Sequence, residues 1–187
     1  MHKDKQLPFK EKNIILIGFM GVGKTTIGIH IAKKLNRDFI DVDQEIEKQY
    51  DMPVTQIFKT MGEQKFRQME KEFIVDLCCN SRLKIISLGG GAFLQEEIRN
   101  VCLSTSIVFF LDLSFNLWKD RLHLLMDNRP VLQNKTLEEI EQLYYSRQGI
   151  YALNHSKVNT DYLKPEEVAD NILHSLKLNW EINEPIN

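Results

Sequence analysis

Asn13-Ile14-Ile15-Leu16-Ile17 is apolar without alternation, which predicts a short strand buried on both faces, as parallel sheets require. A Gly-rich stretch, Gly18 to Gly23, follows it. Ile27, Ile31 and Leu35 then recur at helical spacing and predict a helix over Lys24–Leu35. Phe39-Ile40-Asp41 reads as a second strand. Between Gln44 and Asn80 the spacing is helical in two or three pieces: Pro53 opens one of them, and Gly62 separates it from a longer one. Leu83 to Leu88 predicts a third strand that runs into Gly89-Gly90-Gly91, Phe93 to Cys102 a helix, and Ser106 to Leu111 another continuous apolar strand. Ser114 is placed to cap a helix carrying Leu117, Trp118 and Leu122. Periodicity weakens over residues 124–135, which read as a mobile loop. Leu137 to Tyr151 is helical, Lys157 to Thr160 a last strand, and Pro165 to Leu178 a last helix. Residues 1–12 read as a frayed polar arm and 180–187 as a tail, leaving one domain over 1–187.

Strands alternating with helices predict an α/β fold with a parallel sheet and helices on both faces. Ligands of such sheets bind at the carboxyl ends of the strands, and every chemically suggestive residue of this chain falls at such an end.

Composition narrows the picture. The 187 residues are 43% hydrophobic and 27% charged, an ordinary globular balance. Lys plus Arg is 24 against 26 Asp plus Glu, a net charge of −2 that argues against nucleic-acid or membrane-surface binding. Cys78, Cys79 and Cys102 show no CxxC spacing, which favours neither a disulfide framework nor a zinc site. The polar start lacks an apolar signal region, and the expected setting is the cytoplasm with reduced thiols.

Gly18-Phe19-Met20-Gly21-Val22-Gly23-Lys24-Thr25 matches G-x-x-x-x-G-K-[ST] between a strand and a helix, the context the motif requires. Backbone N–H groups of such a loop close around phosphate oxygens, aided by the helix N-terminus. Lys24 would reach the β- and γ-phosphates and Thr25 would ligate Mg²⁺. The motif specifies nucleotide binding without a reaction. The short chain leaves no room for a large motor domain, which favours a kinase of small molecules or nucleotides.

The remaining polar residues suggest an acceptor. Asp41 and Asp43 are read as pointing in different directions, one toward a Mg²⁺-bound water and one toward acceptor hydroxyls; Asp43 also reads as the N-cap of the next helix. Three consecutive glycines, Gly89, Gly90 and Gly91, suggest close approach to bare main chain, and a flexible turn is the plainer reading. Ser87 could add a hydroxyl near the metal. Arg67 and Glu70, three apart, can pair on one helix face and present a guanidinium to a carboxylate, or simply form a solvated pair; Arg147 has the same two readings. Arg129, with Arg121 before it, could close over the γ-phosphate or be a solvated loop charge.

In this order and spacing the set resembles the shikimate kinase family over roughly residues 12 to 176. The matching features are the phosphate loop, Asp41-Val42-Asp43, Gly62-Glu63 with Phe66-Arg67 and Glu70, Gly89 to Gly91, Arg129-Pro130-Val131-Leu132, and Arg147 with Tyr151. The resemblance implies a P-loop NTPase of nucleoside monophosphate kinase-like fold with a five-stranded parallel sheet. It implies transfer of the ATP γ-phosphate to the 3-hydroxyl of shikimate, with Mg²⁺. The near-neutral net charge and the lack of an obvious exposed apolar stripe point to a monomer. Gly21, Val22, Gly23, Lys24, Thr25, Thr26, Arg121 and Arg129 would bind ATP. Arg67 and Arg147 would hold the shikimate carboxylate, while Asp43 and the backbone of Gly89 to Gly91 would meet its hydroxyls. Thr25 would ligate the metal, with Asp41 acting through water. Lys24, Asp43 and Arg129 would carry the chemistry. The chain departs from the family pattern at Val131, at Gly149-Ile150 and at Ala152-Leu153-Asn154-His155. Two rivals stay open: a kinase of another polyol acid such as gluconate, and a catalytically silent nucleotide- or shikimate-binding regulator.

Overall fold

A computed structural model describes residues 8–125, 130–132 and 135–182. Its centre is a parallel sheet of five strands, β1 (Ile14–Ile17), β2 (Phe39–Asp41), β3 (Ile85–Ser87), β4 (Ile107–Asp112) and β5 (Ser156–Asn159), in the order β2-β3-β1-β4-β5. The continuous apolar runs become its central strands. Every residue of β1 is buried, and Ile14 aligns with both Ile85 and Ile107. The edge strand β5 instead alternates between half-buried and exposed positions.

Helix α1 (Lys24–Leu35) follows the phosphate loop and packs against α8 (Pro165–Ile182). His30 lies 3.3 Å from Glu166 across that seam. The region between Gln44 and Asn80 resolves into α2 (Val42–Tyr50), α3 (Val54–Met61) and α4 (Glu63–Asn80), with α4 packed on α5 (Glu96–Thr105). Beyond β4 come the short α6 (Phe115–Lys119) and the long α7 (Leu137–Tyr151), whose Thr136 and Glu139 form a reciprocal N-terminal cap.

Several boundaries move. The helix expected over Phe93–Cys102 is a 3-10 turn at Ala92–Leu94 followed by α5. Ser114 precedes α6 without a side-chain capping bond, and α6 ends at Lys119, before Leu122. The amino-terminal segment from Pro8 is pinned: Arg37 donates to the carbonyl oxygens of Lys12 at 3.1 Å and Lys10 at 2.6 Å. The same guanidinium lies 5.8 Å over the Trp180 ring, so α8 continues through the expected start of the tail. Half of the expected loop over 124–135, including Arg129, lies outside the described residues.

Candidate active site

The chain order reverses on either side of β1, whose neighbours are β3 and β4. That reversal opens a crevice at the carboxyl ends of the strands, and the phosphate loop fills the turn after β1. Gly18 (φ +143°) and Gly23 (φ +101°) take backbone conformations suited to glycine. A Cβ on Gly18 would also lie 2.6 Å from the Leu111 carbonyl oxygen. An aromatic brace holds the loop from outside. Phe19 packs edge-on against Trp118 and Tyr144, and Trp118 Nε1 donates to the Met20 carbonyl at 2.6 Å.

A cavity of about 170 Å³ lies above this loop, lined by Gly21, Gly23, Lys24, Thr25 and Thr26, with Asp41 and Ser87 on its far side. Lys24 Nζ donates to the carbonyl oxygens of Gly18 and Phe19, each at 2.9 Å. Val22 turns its side chain into the core and can meet a ligand only through its backbone. Arg121 donates to the Gly21 carbonyl at 3.3 Å, beside the loop. Thr25 Oγ1 donates to Asp41 Oδ2 at 2.7 Å.

Asp41 and Asp43 do occupy different positions, though strand alternation would have put both on one face. The strand ends at Asp41, which itself caps α2 by accepting from Gln44 N at 3.4 Å; Asp43, read as that cap, sits in the first helical turn. Asp41 faces the phosphate cavity alone, whereas Asp43 lines it and a second cleft beside it.

That second cleft brings together Asp43, Arg67, Glu70, Gly89 to Gly91 and Arg147. Met20, Gly89 and Gly90 also border both spaces, so the two are contiguous. Arg67 donates to Glu70 Oε2 at 2.8 Å and to Glu63 Oε1 at 3.1 Å. The pair is not a solvated surface couple, because the Glu70 side chain is 0% exposed. Burial pushes the Glu70 carboxyl up to about 7, against the pull of Arg67. The Arg67 guanidinium is desolvated too, but Glu70 and Glu63 outweigh that and hold it more firmly charged than usual. Arg67 lies over Phe66 at 5.4 Å and Phe58 at 5.8 Å.

Arg147 is buried, lies 5.5 Å over Phe19 and donates to the Gly90 carbonyl at 3.1 Å. Tyr151 donates its hydroxyl to that same carbonyl. The departure at Gly149 leaves α7 unbroken, with nothing among the described residues within 4 Å of the position a Cβ would take.

The three glycines leave room for neighbouring side chains and backbone and do not take unusual φ. A Cβ on Gly89 would lie 2.7 Å from Asp43 Oδ1, one on Gly90 3.1 Å from Met20 N, and one on Gly91 2.6 Å from Arg67 Nη2. Residue reading missed the apolar walls at Met20, Val54, Phe58 and Val131. It also missed Gln95, which donates to Glu70. Met20 and Val131 sit inside motifs legible in the sequence, whereas Phe58 and Phe66 belong to separate helices and meet only in the fold.

Fold and site together define a P-loop phosphotransferase of the nucleoside monophosphate kinase-like architecture, with an acceptor cleft able to grip an anion. The shikimate kinase family profile matches residues 20–177. Over 186 residues, 99% of each chain, the protein is 59% identical to a shikimate kinase of Geobacillus thermodenitrificans. The fold superposes on the crystal structure of the Aquifex aeolicus shikimate kinase with a TM-score of 0.78 at 38% identity, covering 89% of this chain and 97% of that one. It superposes on the Acinetobacter baumannii shikimate kinase in complex with shikimate with a TM-score of 0.85 at 31% identity, covering 91% and 96%. The chain belongs to the shikimate kinase family.

Proposed function

We propose that the protein transfers the γ-phosphate of ATP to the 3-hydroxyl of shikimate, giving shikimate 3-phosphate and ADP on the route to chorismate and the aromatic amino acids. The observation that carries this reading is the cleft itself. Two guanidiniums, Arg67 and Arg147, face Asp43 and the bare backbone of Gly89 to Gly91, in a space continuous with the phosphate cavity. A ring bearing one carboxylate and several hydroxyls needs this pairing of fixed cations and acceptors.

In this reading Arg67 and Arg147 clamp the carboxylate, and Asp43 with the glycine backbone holds the hydroxyls. Gly21 to Thr26 and Arg121 hold ATP, and Arg129, outside the described residues, is assigned to the γ-phosphate by the resemblance. Asp43 accepts the hydrogen of the attacking hydroxyl and orients it. The hydroxyl oxygen bonds to the γ-phosphorus, the bond to the ADP oxygen breaks, and the proton leaves toward Asp43. Because the phosphoryl transition state is loose, orientation counts for more than basicity. Lys24 leaves its two loop carbonyls to meet charge developing on the transferred group.

The oxygens at the cavity floor suit Mg²⁺. Thr25 and Asp41 offer one hydroxyl and one carboxylate, and no group of three His, Cys, Asp or Glu residues poised for a metal occurs among the described residues. A cation that keeps several waters and shares phosphate oxygens fits such a sparse set. When bound it would neutralise charge on the β- and γ-phosphates; Thr25 would ligate it and Asp41 would hold one of its waters.

No helix among the described residues is long and apolar enough to cross a membrane. We assign the enzyme to the cytoplasm as a monomer acting on small molecules without nucleic acid, in keeping with its −2 charge and three free thiols. Phosphorus NMR of the product from ATP, Mg²⁺ and shikimate tests the reaction. A single phosphate ester coupled to the proton at C3 is expected; free phosphate alone, or an ester at another hydroxyl, overturns the assignment.

A further inference from the structure

Gln95 takes no part in the reading above, yet it ends a chain of side chains that begins in the acceptor cleft. It immediately precedes α5, and its Nε2 donates to Glu70 Oε2 at 3.0 Å. The same oxygen accepts from Arg67 at 2.8 Å, while Glu70 Oε1 has no hydrogen-bond partner among the described residues. Burying a carboxylate is costly unless it is paired and hydrogen-bonded. Of the donors that offset this cost, Arg67 is needed by the substrate; Gln95 comes from a different element and is not among the residues lining the cleft.

We propose that Gln95 is a positioning residue for acceptor binding: by holding Glu70 Oε2 from the start of α5, it fixes the carboxylate against which Arg67 is clamped and so sets affinity for the acceptor's carboxylate. This inference rests on the reading that Arg67 grips shikimate. Gln95 is half-buried and also lines a surface groove between α4 and α5, beside Lys71 and Glu97, which are bridged at 2.8 Å. Substitutions there leave the apolar core intact.

The groups facing Glu70 give the arrangement a pH signature. They are Arg67 on α4, itself held by Glu63; Asp43 on α2; Arg147 on α7 across the cleft; and neutral Gln95. Glu70 titrates near 7, pushed up by burial and Asp43 and drawn down by Arg67 and Gln95. Below that pH Glu70 is neutral, its hold on Arg67 weakens, and shikimate binds less tightly. Removing the Gln95 donor destabilises the carboxylate and moves this loss to higher pH.

The test compares the intact enzyme with Gln95→Leu and Gln95→Lys, measuring kcat and the KM of both substrates from about pH 5.5 to 8.5. Gln95→Leu is expected to raise the shikimate KM about 3- to 10-fold near neutrality, with kcat and the ATP KM within about twofold. Its acid-side rise in KM should begin roughly half a pH unit to one unit higher than in the parent. Gln95→Lys, which brings a cation to Glu70, should move that rise to lower pH. An unchanged shikimate KM and pH profile in Gln95→Leu overturns the proposal. So does a fall in kcat and in melting temperature with an unmoved pH profile, which would leave Gln95 a purely structural role. Absence of shikimate-dependent turnover in the parent enzyme is a separate result: it overturns the functional reading, and this inference with it.

Discussion

Arg67 would be an ordinary helix-surface charge if Glu70 were exposed, since exposed pairs of this kind contribute little. The fully buried Glu70, the second bridge to Glu63 and the faces of Phe58 and Phe66 make it a fixed cation. Arg67→Ala is therefore expected to raise the shikimate KM by about 10- to 100-fold, the usual scale for a lost bond to a charged group, with a much smaller change in kcat. Steady-state kinetics with ATP saturating checks it. Lys24 should behave in the opposite way, because the proposed role of its charge is on the group being transferred. Lys24→Met is expected to lower kcat by about 10²- to 10³-fold while circular dichroism and melting temperature stay close to the parent's. The spacing of Arg67 and Glu70 showed in the sequence that they could meet. The burial of Glu70 did not, because it depends on Gly89 and Gln95, 19 and 25 positions beyond it.

Among the elements, the phosphate loop was legible in full, since its glycines, lysine and threonine are fixed by local geometry. The start of α2 was not. Asp41 and Asp43 can each cap a helix, and only the hydrogen bond from Gln44 N to Asp41 decides between them. Glycine substitutions separate two kinds of constraint. Gly18→Ala meets a backbone oxygen at 2.6 Å in a conformation that disfavours a side chain, and should cost about 2 kcal/mol or more of stability in thermal or urea unfolding. Gly91→Ala meets only the end of the Arg67 side chain at 2.6 Å, so the fold should survive while the shikimate KM rises. A Gly91→Ala protein with unchanged KM would show that Arg67 has room to spare.

At the scale of the whole molecule, apolar runs announced an α/β protein, but the strand order did not follow from them. The order arises from contacts far apart in the chain. Tyr151 reaches the Gly90 carbonyl across 61 positions, and Arg37 ties the amino-terminal segment to Trp180 of α8. His155 closes the sheet at β5: its Nδ1 accepts from Val108 N, and its own N–H donates to the Val108 carbonyl, each at 3.0 Å. Burial, with Lys12 nearby, lowers its pKa below 6.5. The unfolded chain thus takes up this proton first, so the stabilisation is complete above about pH 6.5 and is lost as pH falls toward the folded value. Melting temperature should decline more steeply below that pH in the parent than in His155→Gln.

If the clamped arginines and Asp43 select one acceptor, ADP release will report it. ATP and Mg²⁺ would be supplied with shikimate, quinate, gluconate or AMP in turn, beside an acceptor-free control. Strong stimulation by shikimate and background rates with the rest are expected. Stimulation by gluconate or AMP, or none by shikimate from a protein that still binds ATP, would rule out such selection.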